Sequence, residues 1–536
     1  MSSNVASTRV LALTLRWMLV AASVWMSVMT TGCASLYQDV PRLPSHALAV
    51  EVAVQTSLGR ALSAQVAAHP GQSGFQLIAN GEAAFEARVA LADGAEHTLD
   101  LQYFSVGEDL TTDLILVRII EAAQRGVRVR ILLDDIHPSA RRFALHAIAS
   151  HAAIEVRMFN PFRFGGASSL GRLSEVIVDG GRLNRRMHNK LWVTDNVVAI
   201  TGSRNLGDEY FSVGVNSNFY DVDLLATGPI VNQLSQSFDA FWNSSSAVPI
   251  DAISEMHGVD AAADVWLGLN ARMVGCVSVI VCEWLDKGGV LSELRSGTVL
   301  WTWANAELFY DKPGQDKSVI ASGFEHGFID DKPGGTRTAS ELLIMSPYFI
   351  PSEDARRHLS EMRERGVRVA VLTNALMSTD SIAAHAGYAR HRSVLLREGI
   401  ELYEVRPESR TRHPFIHRWG HASSASLHAK VVVKDRVRSI VGTQNQDPRS
   451  HLHNTEAWIA IDSRELAADL VALFEEGIDV QHAFKLGIRE TEDLKGLTWY
   501  SEVDGERVMY DAEPMSSPWR LFWRGVLGAL IPEHML

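Results

Sequence analysis

The chain has 536 residues, of which 46% are hydrophobic and 21% are charged, so it holds enough apolar material for two packed lobes. Its formal net charge is −13 and it contains three cysteines. A non-specific nucleic-acid binder is usually basic, because phosphate neutralisation supplies most of its affinity. A disulfide scaffold needs more cysteines than this. The composition therefore predicts an ordinary globular protein and argues against both of these classes.

The first 33 residues are predicted to be a targeting segment. Arg9 and Arg16 precede an apolar run of 13 residues from Trp17 to Met29, and small residues then lead to Cys33. This run is shorter than the roughly 20 residues that a membrane-spanning helix needs. The small residues are similar to a bacterial lipoprotein cleavage site, which would make Cys33 the lipidated N-terminus. An uncleaved membrane anchor is the alternative, because Thr30 departs from that pattern.

Alternating strands and helices are predicted after a proline-containing tether over residues 34–72, which we expect to hold a short helix. His97–Phe104 alternates like a strand, Leu110–Gln124 is an amphipathic helix and Val127–Asp134 is a strand again. A strand, a helix and a strand in this order indicate a parallel strand pair.

A short pattern occurs twice at a constant separation. The first copy reads His-x-Lys-x-x-x-x-Asp over residues 188–195, and the second covers residues 428–435. Each is followed by Gly, Ser or Thr, any residue and Asn, beginning at Gly202 and at Gly442. Matching residues lie 240 positions apart throughout. A register shared over this length indicates duplication of a whole lobe rather than a short structural repeat.

Two regions lie outside the repeated pattern. Residues 245–300 contain Cys276 and Cys282, which would form a disulfide in an exported protein or remain a buried pair of thiols. Near the C-terminus, Pro518–Leu530 places aromatic and aliphatic residues on one helical face and two arginines on another. This pattern is typical of a helix at a lipid interface, and a terminal helix docked on the core is the alternative.

The repeated pattern resembles the defining motif of the phospholipase D superfamily. The tail of the second copy, Asn-Gln-Asp-Pro-Arg-Ser from Asn445 and Asn-Thr-Glu ending at Glu456, is similar to that of bacterial cardiolipin synthases. The resemblance covers roughly residues 70–536 and implies an α/β fold. It implies two duplicated α-β-α lobes, and each lobe is expected to be a mixed or mostly parallel sheet flanked by helices. The lobes are expected to be related by a pseudo-twofold axis and to share one active site. The expected divisions are a signal or lipoprotein segment at 1–33, a tether at 34–72, the first lobe at 73–300, the second lobe at 301–490 and a C-terminal extension with an amphipathic helix at 491–536.

The two motif histidines suit the exchange of a phosphodiester. This chemistry needs a nucleophile, an acid for the leaving alcohol and positive charge near the phosphoryl oxygens. The resemblance implies that His188 forms a covalent phosphohistidine and that His428 acts as acid and base. Lys190 and Lys430 lie two residues after these histidines, so on a strand each would face the same phosphate as its histidine.

Neutral hydrogen-bond donors are predicted around the same phosphate. Asn205 and Asn445, with the hydroxyls of Ser203 and Thr443, follow the two motifs at matching positions. Together with the two lysines they could stabilise a pentacoordinate transition state without an ion. We therefore expect no metal and no cofactor.

Each histidine also needs an acceptor that orients its far ring nitrogen. Glu456 follows His428 by 28 residues and looks like that acidic partner. The position 28 residues after His188 is an asparagine, so an acid at 221 or 223 must serve in the first lobe, and Asp221 is preferred.

The motif aspartates, Asp195 and Asp435, are weaker candidates for chemistry. Each lies an odd number of residues from its histidine, so on a continuous strand it faces away. A role in a turn is expected.

Four functions fit these residues. The first is phosphatidyl transfer that makes cardiolipin from phosphatidylglycerol and a second phospholipid such as phosphatidylethanolamine, and the second is hydrolysis to phosphatidic acid. A nuclease, suggested by three arginines at 182, 185 and 186, and a non-enzymatic lipid-binding lipoprotein are the others. The expected partners are phospholipids, a membrane surface and, as an open possibility, a helper protein, with no nucleic acid. We expect the protein in the bacterial cell envelope, anchored to a membrane.

Overall fold

The fold is taken from a computed structural model. It describes residues 40–136, 141–162, 179–253, 289–314, 337–407, 424–490, 495–503 and 505–532, with single residues at 37, 172, 175, 268 and 317. The predicted targeting segment with Cys33, and the pair Cys276 and Cys282, lie outside these ranges. No helix within them is long and apolar enough to cross a membrane.

Parallel and antiparallel pairings are mixed in the first lobe. Its strands are β1 (Ser73–Ile78), β2 (Thr98–Tyr103), β3 (Arg128–Asp134), β4 (Ile154–Phe159), β5 (Leu191–Thr194), β6 (Val198–Gly202), β7 (Ser217–Tyr220), β8 (Asp223–Thr227) and β9 (Ala247–Pro249). Strands β2, β3 and β4 are parallel neighbours, as the strand-helix-strand pattern predicts. On the other side of β2, antiparallel pairings continue through β5, β6 and β8 to β1.

The second lobe repeats this arrangement. Its strands are β10 (Thr302–Tyr310), β11 (Glu341–Met345), β12 (Arg368–Asn374), β13 (Glu401–Val405), β14 (Ser424–Leu427), β15 (Val431–Lys434), β16 (Arg438–Gly442), β17 (Ala457–Asp462), β18 (Ala483–Glu490), β19 (Lys495–Val503) and β20 (Glu506–Tyr510). Strands β11, β12 and β13 are parallel, and β15, β16 and β17 follow on the other side of β11 in antiparallel pairings. The duplication therefore extends to strand pairing.

One strand joins the two lobes. β10 pairs antiparallel with β1, where Ser73 lies opposite Ala304, and with β17, where Tyr310 lies opposite Ala457. The lobes thus share one continuous 18-stranded sheet. They also share a hydrophobic core, which contains Phe238 of the first lobe and residues of the second. The predicted mixed α/β fold is confirmed.

Helices pack on both faces of this sheet and complete an α-β-α arrangement. They are α1 (Val50–Ala53), α2 (Ser57–Ala68), α3 (Gly81–Gly94), α4 (Leu110–Gln124), α5 (Arg141–Ala149), α6 (Pro229–Trp242), α7 (Gly289–Ser296), α8 (Glu353–Glu364), α9 (Ile382–Arg397), α10 (Pro448–Leu452), α11 (Arg464–Gly477) and α12 (Pro518–Leu530). Short 3-10 turns cover Asp208–Phe211 and Ile250–Ala252.

Part of the predicted tether belongs to the first lobe. Helix α2 begins where the Thr56 side chain accepts a hydrogen bond from the backbone N–H of Gly59. Leu58 and Leu62 of this helix are buried in the core of the first lobe. Burial of this apolar face attaches the helix to the lobe. Arg42, Ser45 and Ala47 also form hydrogen bonds with residues 239–247 of that lobe, so a tether would end before Arg42.

Candidate active site

Two short parallel pairings cross the boundary between the lobes and bring the repeated motifs together. Met187 pairs with Thr455 in an isolated parallel bridge, and the backbone N–H of His188 donates to the Thr455 carbonyl at 2.9 Å. In the other half, β14 pairs in parallel with β7, and the N–H of His428 donates to the Tyr220 carbonyl at 2.8 Å. In each pairing, the residue that follows one strand is a motif histidine, and the residue that follows the other strand is an acid.

Each histidine therefore pairs with an acid of the opposite lobe. The Nδ1 atom of His188 lies 2.8 Å from Oε2 of Glu456, and the Nδ1 atom of His428 lies 2.8 Å from Oδ1 of Asp221. The sequence interpretation, which paired Glu456 with His428 and Asp221 with His188, is wrong on this point. Spacing within a repeat does not tell which lobe an acid faces, and the pairing across the lobe boundary decides it. Both pairs form only because the lobes pack together.

Burial favours the neutral form of both imidazoles, against the effect of their carboxylate partners. Burial lowers the pKa of His188 to about 3. Burial also lowers the pKa of His428, although the charge of Asp221 acts in the opposite direction. Burial opposes ionisation of Glu456, but the charge and hydrogen bond of His188 lower the pKa of that carboxyl to about 2. Each neutral ring thus donates Nδ1–H to a carboxylate and leaves Nε2 as the nitrogen available to a substrate.

Both imidazoles line one cavity of about 800 Å³. The ring of Phe104 meets His188 edge to face at 5.0 Å between centroids, and Tyr210 and Phe219 lie 5.4 Å and 5.1 Å from His428. These aromatic contacts restrict the orientation of the two imidazoles. Sequence reasoning missed all three aromatic residues, although Phe104 closes a predicted strand and Tyr210 lies shortly after the first motif.

The motif lysines donate hydrogen bonds to backbone oxygens. Lys190 Nζ donates to the carbonyl of His188 at 2.8 Å, and Lys430 Nζ donates to the carbonyl of His428 at 2.6 Å. The alternation argument does not apply to them, because the strands begin only at the residue after each lysine. Burial lowers the pKa of Lys430 to about 8 and that of Lys190 well below its ordinary value. An anionic phosphate would compete with these carbonyls and stabilise the charged lysines.

The two predicted hydroxyl donors make hydrogen bonds within the protein. The hydroxyl of Ser203 donates to a backbone carbonyl of the neighbouring chain segment at 3.1 Å, and that of Thr443 donates to Glu456 Oε2 at 2.5 Å. The turn after each glycine directs them toward the segment that carries the acid, and their role as phosphate donors stays a prediction. Thr443 instead helps to hold Glu456. Asn205 and Asn445 line the cavity, and their role as phosphate donors stays a prediction.

The motif aspartates lie in turns and do not contact the imidazoles. Asp195 and Asp435 have positive φ angles of 52° and 53°. The carboxylate of Asp195 accepts hydrogen bonds from the backbone N–H groups of residues 96–98, and that of Asp435 accepts from those of residues 339–341. Both aspartates therefore stabilise turns by accepting hydrogen bonds from backbone N–H groups.

Asp311 supports Glu456 from a stretch without a recognisable motif. Its carboxylate accepts the backbone N–H of Glu456 at 2.8 Å, and its own N–H donates to the Glu456 carbonyl at 3.0 Å. Lys317 forms an ion pair with this carboxylate. No sequence signal marks Asp311, because it belongs to neither copy of the repeat.

In the described part of the chain, one cluster has metal-ligating residue types, namely His385, Glu404 and Glu513. The guanidinium of Arg392 lies among them, 2.6 Å from His385 Nε2, 2.8 Å from Glu404 and 2.5 Å from Glu513. A cation already occupies the position that an ion would need. The cluster is therefore an internal ion-pair network.

Comparisons with known proteins agree with the motif. The family model described as cardiolipin synthase, PLD-like domain, matches residues 89–242 and 336–478. The protein named cardiolipin synthase C from Escherichia coli (strain K12) is 34% identical over 87% of this chain and 97% of its own length. Cardiolipin synthase A from Salmonella arizonae is 25% identical over 75% of this chain and 69% of its own length.

A solved structure was also similar. The phosphatidylserine synthase of Haemophilus influenzae Rd KW20 aligns with a TM-score of 0.49 and 12% identity, over 79% of this chain and 90% of that chain. The two segments that match the family model lie one in each lobe and cover more than half of the sequence. The chain therefore belongs to the phospholipase D superfamily, in the family of cardiolipin synthase PLD-like domains.

Proposed function

We propose that the protein is a phosphatidyltransferase that makes cardiolipin from phosphatidylglycerol and a second phospholipid. The observation that carries this proposal is the pair of neutral imidazoles, His188 and His428, each oriented by a carboxylate of the opposite lobe and lining one cavity. The names of the cardiolipin synthases among its relatives support the substrate class.

In the proposed cycle, Nε2 of His188 attacks the phosphorus of the donor phospholipid and forms a P–N bond while the P–O bond to the donor's headgroup alcohol breaks, which is glycerol for phosphatidylglycerol and ethanolamine for phosphatidylethanolamine. The anionic phosphodiester raises the pKa of His428 when it binds, and the protonated imidazole gives its proton to the departing headgroup alcohol. His428 then removes a proton from a glycerol hydroxyl of an acceptor phosphatidylglycerol, whose oxygen attacks the phosphorus and displaces His188. The products are cardiolipin and the headgroup alcohol of the donor, and both histidines return to their starting states.

We expect the alkaline limb of the pH–rate profile to lie at higher pH for kcat than for kcat/KM. Burial lowers the pKa of His428 in the substrate-free enzyme, so the protonated acid is lost as pH rises through that lowered value. A bound phosphodiester is an anion beside the imidazole, so it raises this pKa and preserves the acid to higher pH. The constant kcat reports the enzyme–substrate complex, whereas kcat/KM reports the unbound enzyme.

A water-soluble phosphodiester, assayed over about pH 4 to 9, measures both profiles. If the alkaline limbs of kcat and kcat/KM coincided, this account would be contradicted. The bound substrate would then not have raised the pKa of His428.

The partners of two arginines weigh against the nuclease alternative. Arg182 forms ion pairs with Glu175 and Asp179, and Arg186 contacts Asp134, so these two arginines beside the motif serve internal contacts. Carboxylates of the cavity wall, such as Asp380, would also repel a polyanion.

The test of the proposed function is lipid analysis. Purified protein is incubated with labelled phosphatidylglycerol vesicles, with and without phosphatidylethanolamine. Labelled cardiolipin is the expected product, and a dependence on phosphatidylethanolamine would identify the co-substrate. Phosphatidic acid as the sole product would replace the transferase with a hydrolase, and no turnover would contradict both.

We also propose that helix α12 contacts the membrane. This helix packs against α9, yet none of its fully described residues is buried, and the exposed fractions of Trp519, Phe522 and Leu530 are 65%, 57% and 73%. Arg520 attaches the helix to the second lobe, because its guanidinium donates hydrogen bonds to backbone carbonyls there. Ile531, directly after the helix, lines the catalytic cavity. An aromatic surface held beside the cavity suits a lipid interface.

The double substitution Trp519→Ala and Phe522→Ala is expected to lower activity on vesicles about tenfold, because each aromatic side chain adds burial energy at the interface. Activity on a soluble phosphodiester should change by less than about twofold, since neither residue lines the cavity. Leu300→Ala is the matched control, because Leu300 is a large apolar residue outside helix α12 and is 87% exposed. Equal losses on both substrates would instead indicate that the helix stabilises the core.

Anchoring through Cys33 in the bacterial cell envelope is part of the same proposal. It is supported by the apolar run and the small residues before Cys33. A lipidated N-terminus would keep the protein at a surface that supplies its substrates. Mass spectrometry of the mature N-terminus tests it, and a chain that begins before Cys33 would contradict it.

A further inference from the structure

The two halves of the cavity differ in charge at one pair of matched positions. When the register of 240 residues is extended past Asn205 and Asn445, Glu209 matches Arg449. Both side chains line the catalytic cavity, Glu209 from a 3-10 turn and Arg449 from helix α10. The duplicated lobes thus contribute an acid in the first half and an arginine in the second. A pseudo-symmetric cavity with this difference can distinguish two similar lipids.

Arg449 has a positively charged side chain that is not bound by another described residue. Its half-buried guanidinium makes no hydrogen bond or ion pair with any residue in the described ranges. Other cations near the motifs have partners, since Arg204 donates to backbone carbonyls and Lys190 and Lys430 donate to the histidine carbonyls. Burial raises the pKa of Asp447 to about 7, and the charge of nearby Arg449 acts against that rise.

We propose that Arg449 binds the phosphate that the acceptor phospholipid keeps throughout the reaction. This inference rests on the proposed function. An acceptor phospholipid brings a second anionic phosphodiester into a cavity whose wall also carries Glu108, Glu209 and Asp380. An anion in such surroundings needs a cationic partner, and the arginine fork matches phosphate oxygens. Water and simple alcohols lack this group, so the contact favours transfer to a phospholipid.

A competition between two acceptors tests the assignment. Purified full-length protein is given phosphatidylglycerol vesicles with ethanol as a neutral competing alcohol, and the ratio of cardiolipin to phosphatidylethanol is measured. Arg449→Gln is expected to lower this ratio about tenfold or more, as for loss of one charge-assisted hydrogen bond. Arg449→Lys, which keeps the charge but not the fork, should give an intermediate ratio. Both products arise from one covalent intermediate, so the ratio does not depend on the amount of folded protein.

Glu209→Gln is the matched control, because it changes the equivalent position of the other lobe. It should leave the ratio unchanged or raise it, since it removes a negative charge from the cavity. An unchanged ratio in Arg449→Gln, or an equal fall in Glu209→Gln, would overturn the assignment and leave Arg449 as a counter-charge for Asp447. Absence of both products from the unaltered protein would overturn the proposed function itself, so the two failures are distinguishable.

Discussion

Replacing either His188 or His428 with alanine is expected to lower turnover at least about 1,000-fold, because each histidine performs a step that the other cannot complete. The two imidazoles have different carboxylate partners and line the same cavity. Release of alcohol and formation of cardiolipin from phosphatidylglycerol vesicles measure the loss.

Two controls accompany the alanine variants. Circular dichroism and thermal unfolding show whether each variant keeps its fold. His69→Ala removes a histidine that stacks on Trp303 outside the cavity, at 4.3 Å between ring centroids, and should lower turnover only a few-fold. Substantial activity in either motif variant would refute the mechanism with two histidines.

The crossed pairs predict that Asp221→Asn and Glu456→Gln each lower turnover about 100-fold to 10,000-fold, but at different steps. Asp221 orients His428, so its loss weakens the acid and base, whereas loss of Glu456 weakens the nucleophile His188. With a nitrophenyl phosphodiester, departure of the alcohol needs no acid. Asp221→Asn should therefore release a burst of nitrophenol and accumulate phosphohistidine, and Glu456→Gln should not.

Mass spectrometry of the trapped protein locates the phosphohistidine and separates two assignments. Phosphate on His188 in Asp221→Asn is the expected result. Phosphate on His428 in Glu456→Gln would keep the crossed pairing and exchange the two histidine roles. Phosphate on His188 in Glu456→Gln would contradict the crossed pairing.

Local patterns in the sequence located several elements closely. The amphipathic periods of Leu110–Gln124 and Pro518–Leu530 correspond to helices with those bounds, and the strand predicted over His97–Phe104 is present as Thr98–Tyr103. These features depend on neighbouring residues, so periodicity along the chain carries the information. The predicted tether was less accurate, because the attachment of α2 depends on a core formed by distant residues.

The amino-acid sequence by itself determined the duplication, the α/β class and the residue types of the site, because repeated spacing and side-chain chemistry are visible along one chain. Only the tertiary structure decided which acid serves which histidine and where the Ser203 and Thr443 hydroxyls point. His188 and Glu456 are 268 residues apart, and His428 and Asp221 are 207 residues apart. Each pair meets because parallel backbone pairing across the lobe boundary places the acid beside the histidine of the other lobe, and the order of residues within either repeat does not encode that pairing.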